Sequence, residues 1–385
     1  MVGTIKLRLF KFFKEYTKLF NGYIFVKVSD LSRIITSLFW REDDCNMQAY
    51  KEVKGEHLLR RKILEDLQRI LDDDFSEDVI LVTGAAGFVG RELCRQLASY
   101  PVKKLLLLDQ LDSALFDTEQ ELMVINPYLE TESILGDIKE CTSLEHIFIN
   151  EQPSLVFHTA AYKDIQLLEA NPFQAVGNNI LGTMYLADLS IIYKVDKFVF
   201  VSTDQAFNPD NVMGASKRVA EKYLENLEES KSSLDSTKFI ITRFENIQSN
   251  SLPNKFKPYN EKDFCNDSDC IKISHSCKLI IDSCKMGKGG EIFTFDSLNG
   301  EYSFESSEQN VVKYSGLSHN ELLPVENVAK MNIVPTFHPY INLALSEKID
   351  RFVFSQEFEI LYNIWENQTD DYELIRQLFI LSFRK

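Results

Sequence analysis

The segment VILVTGAAGFVG at residues 79–90 limits the possible folds of this chain more than any other feature. It begins with a short run of leucine and β-branched residues, which predicts a buried strand. Glycines then let the backbone turn tightly, and the RELCRQLASY that follows has the composition of a helix. The order of strand, glycine turn and helix predicts the first unit of a parallel α/β sheet.

Three more apolar runs of this kind follow, and helical stretches such as 113–125 and 173–193 lie between them. The runs are LLLLD at 105–109, LVFHTAA at 155–161 and KFVFVSTD at 197–204. Strands that are apolar on both faces need helices on both sides of the sheet. The sequence therefore predicts an α/β fold with a Rossmann-type doubly wound parallel sheet.

The same patterns divide the chain into four parts. Residues 1–46 form an N-terminal extension, residues 47–78 a helical lead-in, and residues 79–250 the domain that carries the sheet. Residues 251–385 form a small C-terminal substrate-binding region, and the end of the chain, from about residue 349, is predicted to be helical.

The N-terminal extension contains an amphipathic segment at residues 4–20. On a helical wheel the apolar side chains share one face and the basic ones lie outside it; the two sets are Ile5, Leu9, Phe12, Phe13, Tyr16, Leu19 and Phe20, and Lys6, Arg8, Lys11, Lys14 and Lys18. Such a helix can lie on an anionic membrane surface. The alternative is that the apolar face packs on the protein itself or on a second subunit.

The overall charge argues against a nucleic-acid partner. The chain has 42 Lys and Arg against 58 Asp and Glu, a net charge of −16, whereas nucleic-acid binders present a basic face. Seven cysteines without a disulfide framework, no signal peptide and no long apolar run predict the cytoplasm, at the inner face of the membrane if the N-terminal helix binds there. The seven-residue spacing of Cys270, Cys277 and Cys284 indicates a buried helical stripe, so no metal site is predicted.

The glycine turn indicates a dinucleotide cofactor. Gly84 permits the tight turn, Gly87 lets the backbone approach a pyrophosphate, and Gly90 allows close helix–sheet packing. Together with Phe88 and Val89 they open a helix, whose free N–H groups attract an anion.

Asp109 ends the second strand, about 20 residues after the turn. A carboxylate there accepts hydrogen bonds from ribose hydroxyls and repels a 2′-phosphate, so the sequence favours NAD over NADP. Further along, Asp137 and Ile138 follow the third strand, where an adenine is expected. The small residues Ala160 and Ala161 end the fourth strand and leave room for the cofactor.

The fifth strand ends in Ser202-Thr203-Asp204, and a helix begins near Met213. In short-chain dehydrogenases this helix carries Tyr-x-x-x-Lys, whose lysine holds the nicotinamide ribose and whose tyrosine exchanges a proton. Here Lys217 occupies the lysine position, but Met213 stands at the tyrosine position and cannot transfer a proton.

The chain resembles the UDP-N-acetylglucosamine 4,6-dehydratase (capsular polysaccharide biosynthesis) family of extended short-chain dehydrogenases, as a divergent member. The matching pieces are VTGAAGFVGRELCRQL, LLDQLDSALFDTEQEL, VFHTAAYKDIQLLEANPFQAVGNNILGT, FVSTDQAFNPDNVMGASKRVAE, TRFEN and GKGGEIFTFD. The resemblance implies that a bound NAD(P) takes a hydride from C4 of the sugar, water leaves across C5 and C6, and the hydride returns to C6.

The resemblance also implies roles for single residues. Met occurs at the tyrosine position in some members, in which Thr-Asp-Lys at the end of the strand takes over proton transfer. Thr203 and Asp204 match this triplet, but its lysine is replaced by Gln205, and Glu245 stands where the family has glycine. The substrate-binding set that the family motifs imply is Lys163, Asn208, Arg243 and Asn246.

These observations predict a nucleotide-sugar 4,6-dehydratase with a UDP-N-acetylhexosamine-type substrate, slow or altered because of Gln205. One alternative is an NAD-binding pseudoenzyme that serves as a structural or regulatory subunit in polysaccharide assembly. Another is a nucleotide-sugar epimerase, which needs no deprotonation at C5. A homo-oligomer is expected in each case.

Overall fold

A nine-stranded sheet runs through the part of the chain that the computed structural model describes, which comprises residues 75–230, 237–244, 273–295, 311–312, 323–324, 332–335, 341–345, 349–368 and 370–383. The predictions for residues 4–20 and 47–74, and those for Glu245, Asn246 and Cys270, lie outside these residues. Seven strands of the sheet are parallel: β1 Phe75–Thr83, β2 Val102–Asp109, β3 Glu130–Leu135, β4 Leu155–His158, β5 Lys197–Thr203, β6 Lys238–Phe244 and β7 Ile292–Phe295.

The parallel strands have the order β3-β2-β1-β4-β5-β6-β7 across the sheet. The strand order therefore reverses between β1 and β4, and a crevice opens at their carboxyl ends, where ligands bind in folds of this kind. The helices between the strands are α1 Phe88–Leu97, α2 Asp112–Ile125, α3 Cys141–Glu151, α4 Ile165–Glu169, α5 Pro172–Ala175, α6 Gly182–Ile192, α7 Val212–Ser230 and α8 Ile273–Met286.

Helices cover both faces of the sheet, because the central strands are apolar on both sides. On one face, α1, α2 and α8 pack over alternate residues of β1 and β2, such as Ile80 and Leu107. On the other, α3, α6 and α7 pack over Leu81 and Leu106. The Rossmann-type doubly wound sheet predicted from the sequence is thereby confirmed. Cys277 and Cys284 are buried on α8, as their spacing predicts.

Strands from the C-terminal part belong to the same sheet. The sheet therefore includes residues that follow residue 250, the predicted end of the domain that carries it. Strand β11 (Ile341–Leu345) pairs antiparallel with β7, and β10 (Asn332–Pro335) pairs antiparallel with β11, while β8 (Val311–Val312) and β9 (Leu323–Pro324) form a separate ribbon. At the other end, β1 begins at Phe75, so residues 75–78 of the predicted lead-in belong to the sheet.

Two helices end the described chain, α9 Arg351–Asn367 and α10 Asp371–Phe383, which confirms the predicted helical C-terminus. They pack on α5 and α7 in a third apolar cluster. Trp365 fixes this arrangement because its indole N–H donates to the carbonyl of Phe173 at 3.0 Å. Within the described ranges, no helix combines the length and apolarity that a membrane span needs.

Candidate functional site

The glycine turn between β1 and α1 is built so closely that side chains are excluded. Gly84 has a φ of +70°, and its N–H donates to the carbonyl of Leu108 at 2.8 Å. A Cβ there would lie 2.7 Å from the backbone of Ala160. A Cβ on Gly90 would lie 2.0 Å from the carbonyl oxygen of Gly84. Both positions therefore require glycine, one for its conformation and contact with β4, the other for helix packing.

Asp109 ties the end of β2 to this turn. Its Oδ2 accepts from the N–H of Ala86 at 2.9 Å, and its Oδ1 accepts from the N–H of Leu111 at 3.1 Å. The residue is only 9% exposed. Each carboxylate oxygen accepts more than one hydrogen bond, so this anchoring leaves lone pairs for a ligand in the cleft.

A cleft of about 240 Å³ opens beside the turn, at the point where the strand order reverses. Seven residues predicted to bind the cofactor line it: Gly84, Gly87, Asp109, Asp137, Ile138, Ala160 and Ala161. Phe88, Val89 and Gly90 lie in the first turn of α1. Asp137 accepts from the N–H of Lys139 at 2.9 Å, which holds its side chain at the end of β3.

The cleft also contains Asn178, which is not among the predicted site residues. It lies in a π-helical segment, Val176–Leu181, between α5 and α6. The neighbouring Asn179 binds both backbone groups of Tyr162, accepting from its N–H at 2.8 Å and donating to its carbonyl at 3.0 Å, and donates to the hydroxyl of Ser216 at 3.0 Å. Asn179 thus links the cleft wall to α7. Two adjacent amides in an otherwise apolar helical stretch are the sequence signal for this position. The π-helical backbone, a feature that is frequent at functional positions, is seen in the structure.

His158, fully buried at the end of β4, joins the glycine turn to α6. Thr183 Oγ1 donates to the carbonyl of Asn179 at 2.7 Å, so its oxygen accepts from His158 Nε2 at 2.9 Å. The ring then accepts from Thr83 Oγ1 at Nδ1, at 2.7 Å. Burial lowers the pKa of His158 well below its ordinary value, and Lys217 adds to this effect, so the imidazole is neutral.

At the end of β5, Thr203 and Asp204 form a hydrogen-bonded pair. Thr203 Oγ1 donates to Asp204 Oδ1 at 2.9 Å, and the N–H of Gln205 donates to the same oxygen at 2.9 Å. Burial raises the pKa of Asp204, while its hydrogen bonds and the charge of Arg243 oppose the change. The carboxyl group is therefore a candidate for proton exchange.

Lys217 points from α7 toward β5. Its Nζ donates to the carbonyl of Val201 at 3.0 Å and lies 4.5 Å from the centroid of the Phe200 ring. Burial lowers the pKa of Lys217 to about 7, and the charge of Glu221 opposes this shift. The amine is thus poised between its charged and neutral forms near neutral pH.

Met213 and Gln205, which stand where the family has proton-transfer groups, contact other residues of the chain. Met213 is buried in the apolar cluster under the C-terminal helices. Gln205 accepts from Asn211 Nδ2 at 3.2 Å, which holds the loop before α7. Asn208 lies exposed in the same loop.

Arg243, one of the two cations predicted to bind the substrate, is paired with a carboxylate of the chain itself. It is buried at the end of β6 and forms a two-point ion pair with Glu221 at 2.8 and 2.6 Å. A phosphate would have to compete with this carboxylate, a partner that sequence spacing does not reveal. Lys163, by contrast, lies 5.8 Å from the ring centroid of Phe88 near the glycine turn, and burial lowers its pKa.

Comparison of the sequence and the fold with known proteins identifies the family of the chain. The model of the polysaccharide biosynthesis protein family (Polysacc_synt_2) matches residues 80–335. This chain belongs to that family. The capsular polysaccharide biosynthesis protein CapD of Staphylococcus aureus is 30% identical over 71% of the chain and 46% of its own length. The probable polysaccharide biosynthesis protein EpsC of Bacillus subtilis is 30% identical over 72% and 47%.

This member of the polysaccharide biosynthesis protein family thus spans about half the length of these curated relatives. A solved structure, Pen from Bacillus thuringiensis, has a TM-score of 0.50 and 26% identity, and the match covers 58% of this chain and 69% of that one. The resemblance inferred from the sequence motifs is confirmed at the level of family and fold.

Nucleotide-sugar enzymes of two reaction types are also similar to the chain. A dTDP-D-glucose 4,6-dehydratase of Dictyostelium discoideum is 33% identical over 40% of the chain and 37% of its own length. A UDP-glucose 4-epimerase of Rickettsia bellii is 26% identical over 66% and 80%. One relative is matched at higher identity and the other over more of the chain, so the similarity does not choose between the reactions.

Proposed function

We propose that this chain binds NAD in the cleft at β1 and β4 and modifies a nucleotide-activated sugar there. One observation carries the proposal. The Thr203–Asp204 pair and Lys217 lie at the carboxyl end of β5, and the glycine turn lies at the carboxyl end of β1, on the same side of the parallel sheet. Among sugar reactions, we propose 4,6-dehydration of a UDP-N-acetylhexosamine.

The residues of the cleft fit a dinucleotide. Gly87 leaves the start of α1 without a side chain, and the N–H groups of that first turn favour a pyrophosphate. Asp109 presents a carboxylate suited to the ribose hydroxyls. When bound, NAD would supply the hydride acceptor and donor for the sugar. This pattern supports NAD over NADP, since a 2′-phosphate would meet the charge of Asp109.

The remaining chemistry falls to the chain's own groups. Asp204, whose pKa is raised by burial, can take a proton from a sugar carbon or hydroxyl and return it. Thr203 can orient a sugar hydroxyl while it donates to Asp204. Lys217 can hold the nicotinamide ribose. Lys163 is suited to an anionic or hydroxyl group of the nucleotide sugar, and Asn208 and Asn246 are proposed near the substrate.

Two specific observations favour other functions. Met213 and Gln205 carry no titratable group and Arg243 is occupied by Glu221, which supports an NAD-binding subunit without turnover. The similarity to a 4-epimerase over 66% of the chain supports epimerisation, a reaction that needs no proton removal at C5.

One experiment separates these three functions. The protein is incubated with NAD and UDP-N-acetylglucosamine, and the products are analysed by mass spectrometry and by NMR of the sugar. Loss of one water indicates a dehydratase, a new sugar isomer of unchanged mass an epimerase, and unchanged substrate a binding subunit. Asp204→Asn is the matched control that should abolish either activity.

For a dehydratase we further expect Gln205→Lys to raise turnover, because it adds a titratable base next to Asp204. A positioned general base contributes about 10²–10⁴-fold. The lysine loses the hydrogen bond that Asn211 donates to Gln205, so the loop before α7 should be checked by thermal unfolding. Turnover that is already high in the unmodified protein and does not respond to Gln205→Lys would contradict the role assigned to this position.

A further inference from the structure

A cluster of four charged residues lies next to Lys217: Arg218, Glu221 and Glu225 on α7, and Arg243 on β6. Its centre is Glu221, which is fully buried one helical turn after Lys217. Glu221 Oε1 accepts from Ser202 Oγ at 2.7 Å and from Arg243 Nε at 2.8 Å. Its Oε2 accepts from Arg243 Nη2 at 2.6 Å and from Arg218 Nη1 at 3.0 Å. The carboxylate therefore holds two guanidinium groups from two different elements.

The cluster is balanced in charge. Arg218 has a second partner in Glu225, at 2.8 Å, so two arginines meet two carboxylates. Burial alone would raise the pKa of Glu221, but Arg243 and Arg218 hold it below its ordinary value, and Glu221 is ionised. A buried guanidinium without a counter-charge is strongly unfavourable. Glu221 supplies counter-charge to both arginines, and Arg218 has Glu225 as well.

The cluster and the lysine contact neighbouring residues of β5. Lys217 donates to the carbonyl of Val201, and the next residue, Ser202, donates to Glu221. Their i, i+4 spacing also puts Lys217 and Glu221 on one face of α7. Among the described residues, the other groups that face Lys217 are the neutral imidazole of His158 from β4 and an aromatic ring of β5. Of these groups, Glu221 is the one with a negative charge.

We propose that Glu221 is a positioning residue that neutralises Arg243 and Arg218 and thereby allows Lys217 to keep its proton in the buried site. The inference rests on the proposed role of Lys217 in binding NAD. Without Glu221, the cluster would carry an excess positive charge beside a buried ammonium group and would disfavour the charged form of Lys217. In agreement with the geometry, the charge of Glu221 opposes the fall in the pKa of Lys217 that burial causes. Burial raises the pKa of Asp204, and Arg243 opposes this rise, so the cluster acts on both groups of the site.

The protonation of Lys217 can be measured directly in the full chain. In protein with ¹³C-labelled lysine, its Cε shift is followed by NMR against pH and assigned with Lys217→Arg. Glu221→Gln keeps the shape of the side chain and removes its charge. A close opposite charge changes a protonation equilibrium about tenfold or more. We therefore expect the Lys217 titration to move to lower pH, with a similar fall in the ratio of charged to neutral amine at pH 7.

Glu225→Gln is the matched control, because it makes the same charge change one turn further along α7. The Lys217 titration should not move in this variant, since Arg218 keeps Glu221 as its partner. Glu221→Gln/Arg243→Gln is the second test variant. It removes one charge of each sign and leaves Arg218 with Glu225 as its counter-charge, so it should fold even where the single variant is unstable. Because no excess positive charge remains, the Lys217 titration should return toward that of the unmodified chain.

An unchanged Lys217 titration in folded Glu221→Gln overturns the proposal, and so does a movement of about tenfold in the double variant or in Glu225→Gln. Calorimetric NAD binding in the same samples keeps the two proposals distinguishable. If the unmodified chain binds no NAD at any pH, the proposed function fails, while the titration still decides the role of Glu221. If NAD binds and Lys217 does not respond to Glu221, the inference fails and the function stands.

Discussion

Gly87 and Gly90 offer a way to separate cofactor binding from folding, because the same carbonyl oxygen lies at different distances from the two positions. A Cβ on residue 90 would lie 2.0 Å from the oxygen of Gly84 and 2.7 Å from its carbonyl carbon. Atoms in ordinary contact are roughly 3.5 Å apart, and a backbone carbonyl in a tight turn cannot rotate away. Gly90→Ala must therefore move α1 from the turn by more than about 1 Å.

The expected loss of stability follows from two opposing terms. Overpacking a close contact costs about 1–3 kcal/mol, and a contact between backbone and Cβ belongs at the upper end. Alanine recovers about 1 kcal/mol because it is the better helix former. Gly90→Ala should therefore lower the free energy of unfolding by about 2 kcal/mol, which corresponds to roughly 4–8 °C in melting temperature for a domain of this size.

Gly87→Ala is the matched control within the same turn. Its Cβ would lie 3.1 Å from the oxygen of Gly84, so a shift of a few tenths of an ångström accommodates it. Gly87, however, lines the cleft. Gly87 is the N-cap of α1, where alanine is less favourable than glycine, so Gly87→Ala should lower the free energy of unfolding by about 0.5–1 kcal/mol, less than Gly90→Ala. We also expect a loss of NAD affinity. Urea denaturation and calorimetric titration measure the two quantities. A Gly90→Ala chain of normal stability, or a Gly87→Ala chain of normal NAD affinity, would refute the reasoning.

Three further predictions concern single side chains. Burial lowers the pKa of Lys217 from 10.5 to about 7, so between these pH values the unfolded chain binds the extra proton and stability rises with pH; Lys217→Met should flatten this rise in urea denaturation at a series of pH values. Trp365→Ala removes the hydrogen bond to the carbonyl of Phe173 and the packing of the indole on the third apolar cluster, and should cost about 3 kcal/mol in the same assay. Asp109→Asn removes the charge that disfavours a 2′-phosphate, so the preference for NAD over NADP should shrink several-fold in competition binding.

The fold could be predicted from the sequence because its central strands are apolar on both faces and the glycine turn fixes where the first helix begins. The predicted start of the sheet at Val79 is later than the observed start of β1 at Phe75 for a related reason. Its first residues, Phe75 to Asp78, are largely polar and partly exposed, so they lack the apolar run that marked the other strands.

The parts of the site that the sequence missed depend on pairings between distant residues. Asn178 and Asn179 reach the cleft and α7 through a π-helical segment, a backbone feature that side-chain periodicity does not reveal. Arg243 can be recognised from the sequence because it belongs to TRFEN, one of the pieces that resemble the family. Its partner Glu221, however, lies 22 residues earlier on another element. The sequence predicts that such a cation is present at the site; it does not predict whether a ligand or a carboxylate of the same chain neutralises it.

The two halves of the candidate site differ in what controls them. In the half proposed to bind the cofactor, the backbone determines the geometry, since Gly84 and Gly90 allow no side chain and Asp109 is held by two N–H groups. In the half proposed to bind the sugar, the proposed chemistry depends on side chains, and Met213 and Gln205 have no titratable group. Proton exchange at this end of β5 then falls to Asp204, which would have to act first as base and then as acid in one turnover. A carboxyl group whose pKa is raised by burial is suited to that double role. Its rate would be limited by a single proton-transfer group, and for this reason a second base at position 205 is expected to accelerate a dehydratase and to leave a binding subunit unchanged.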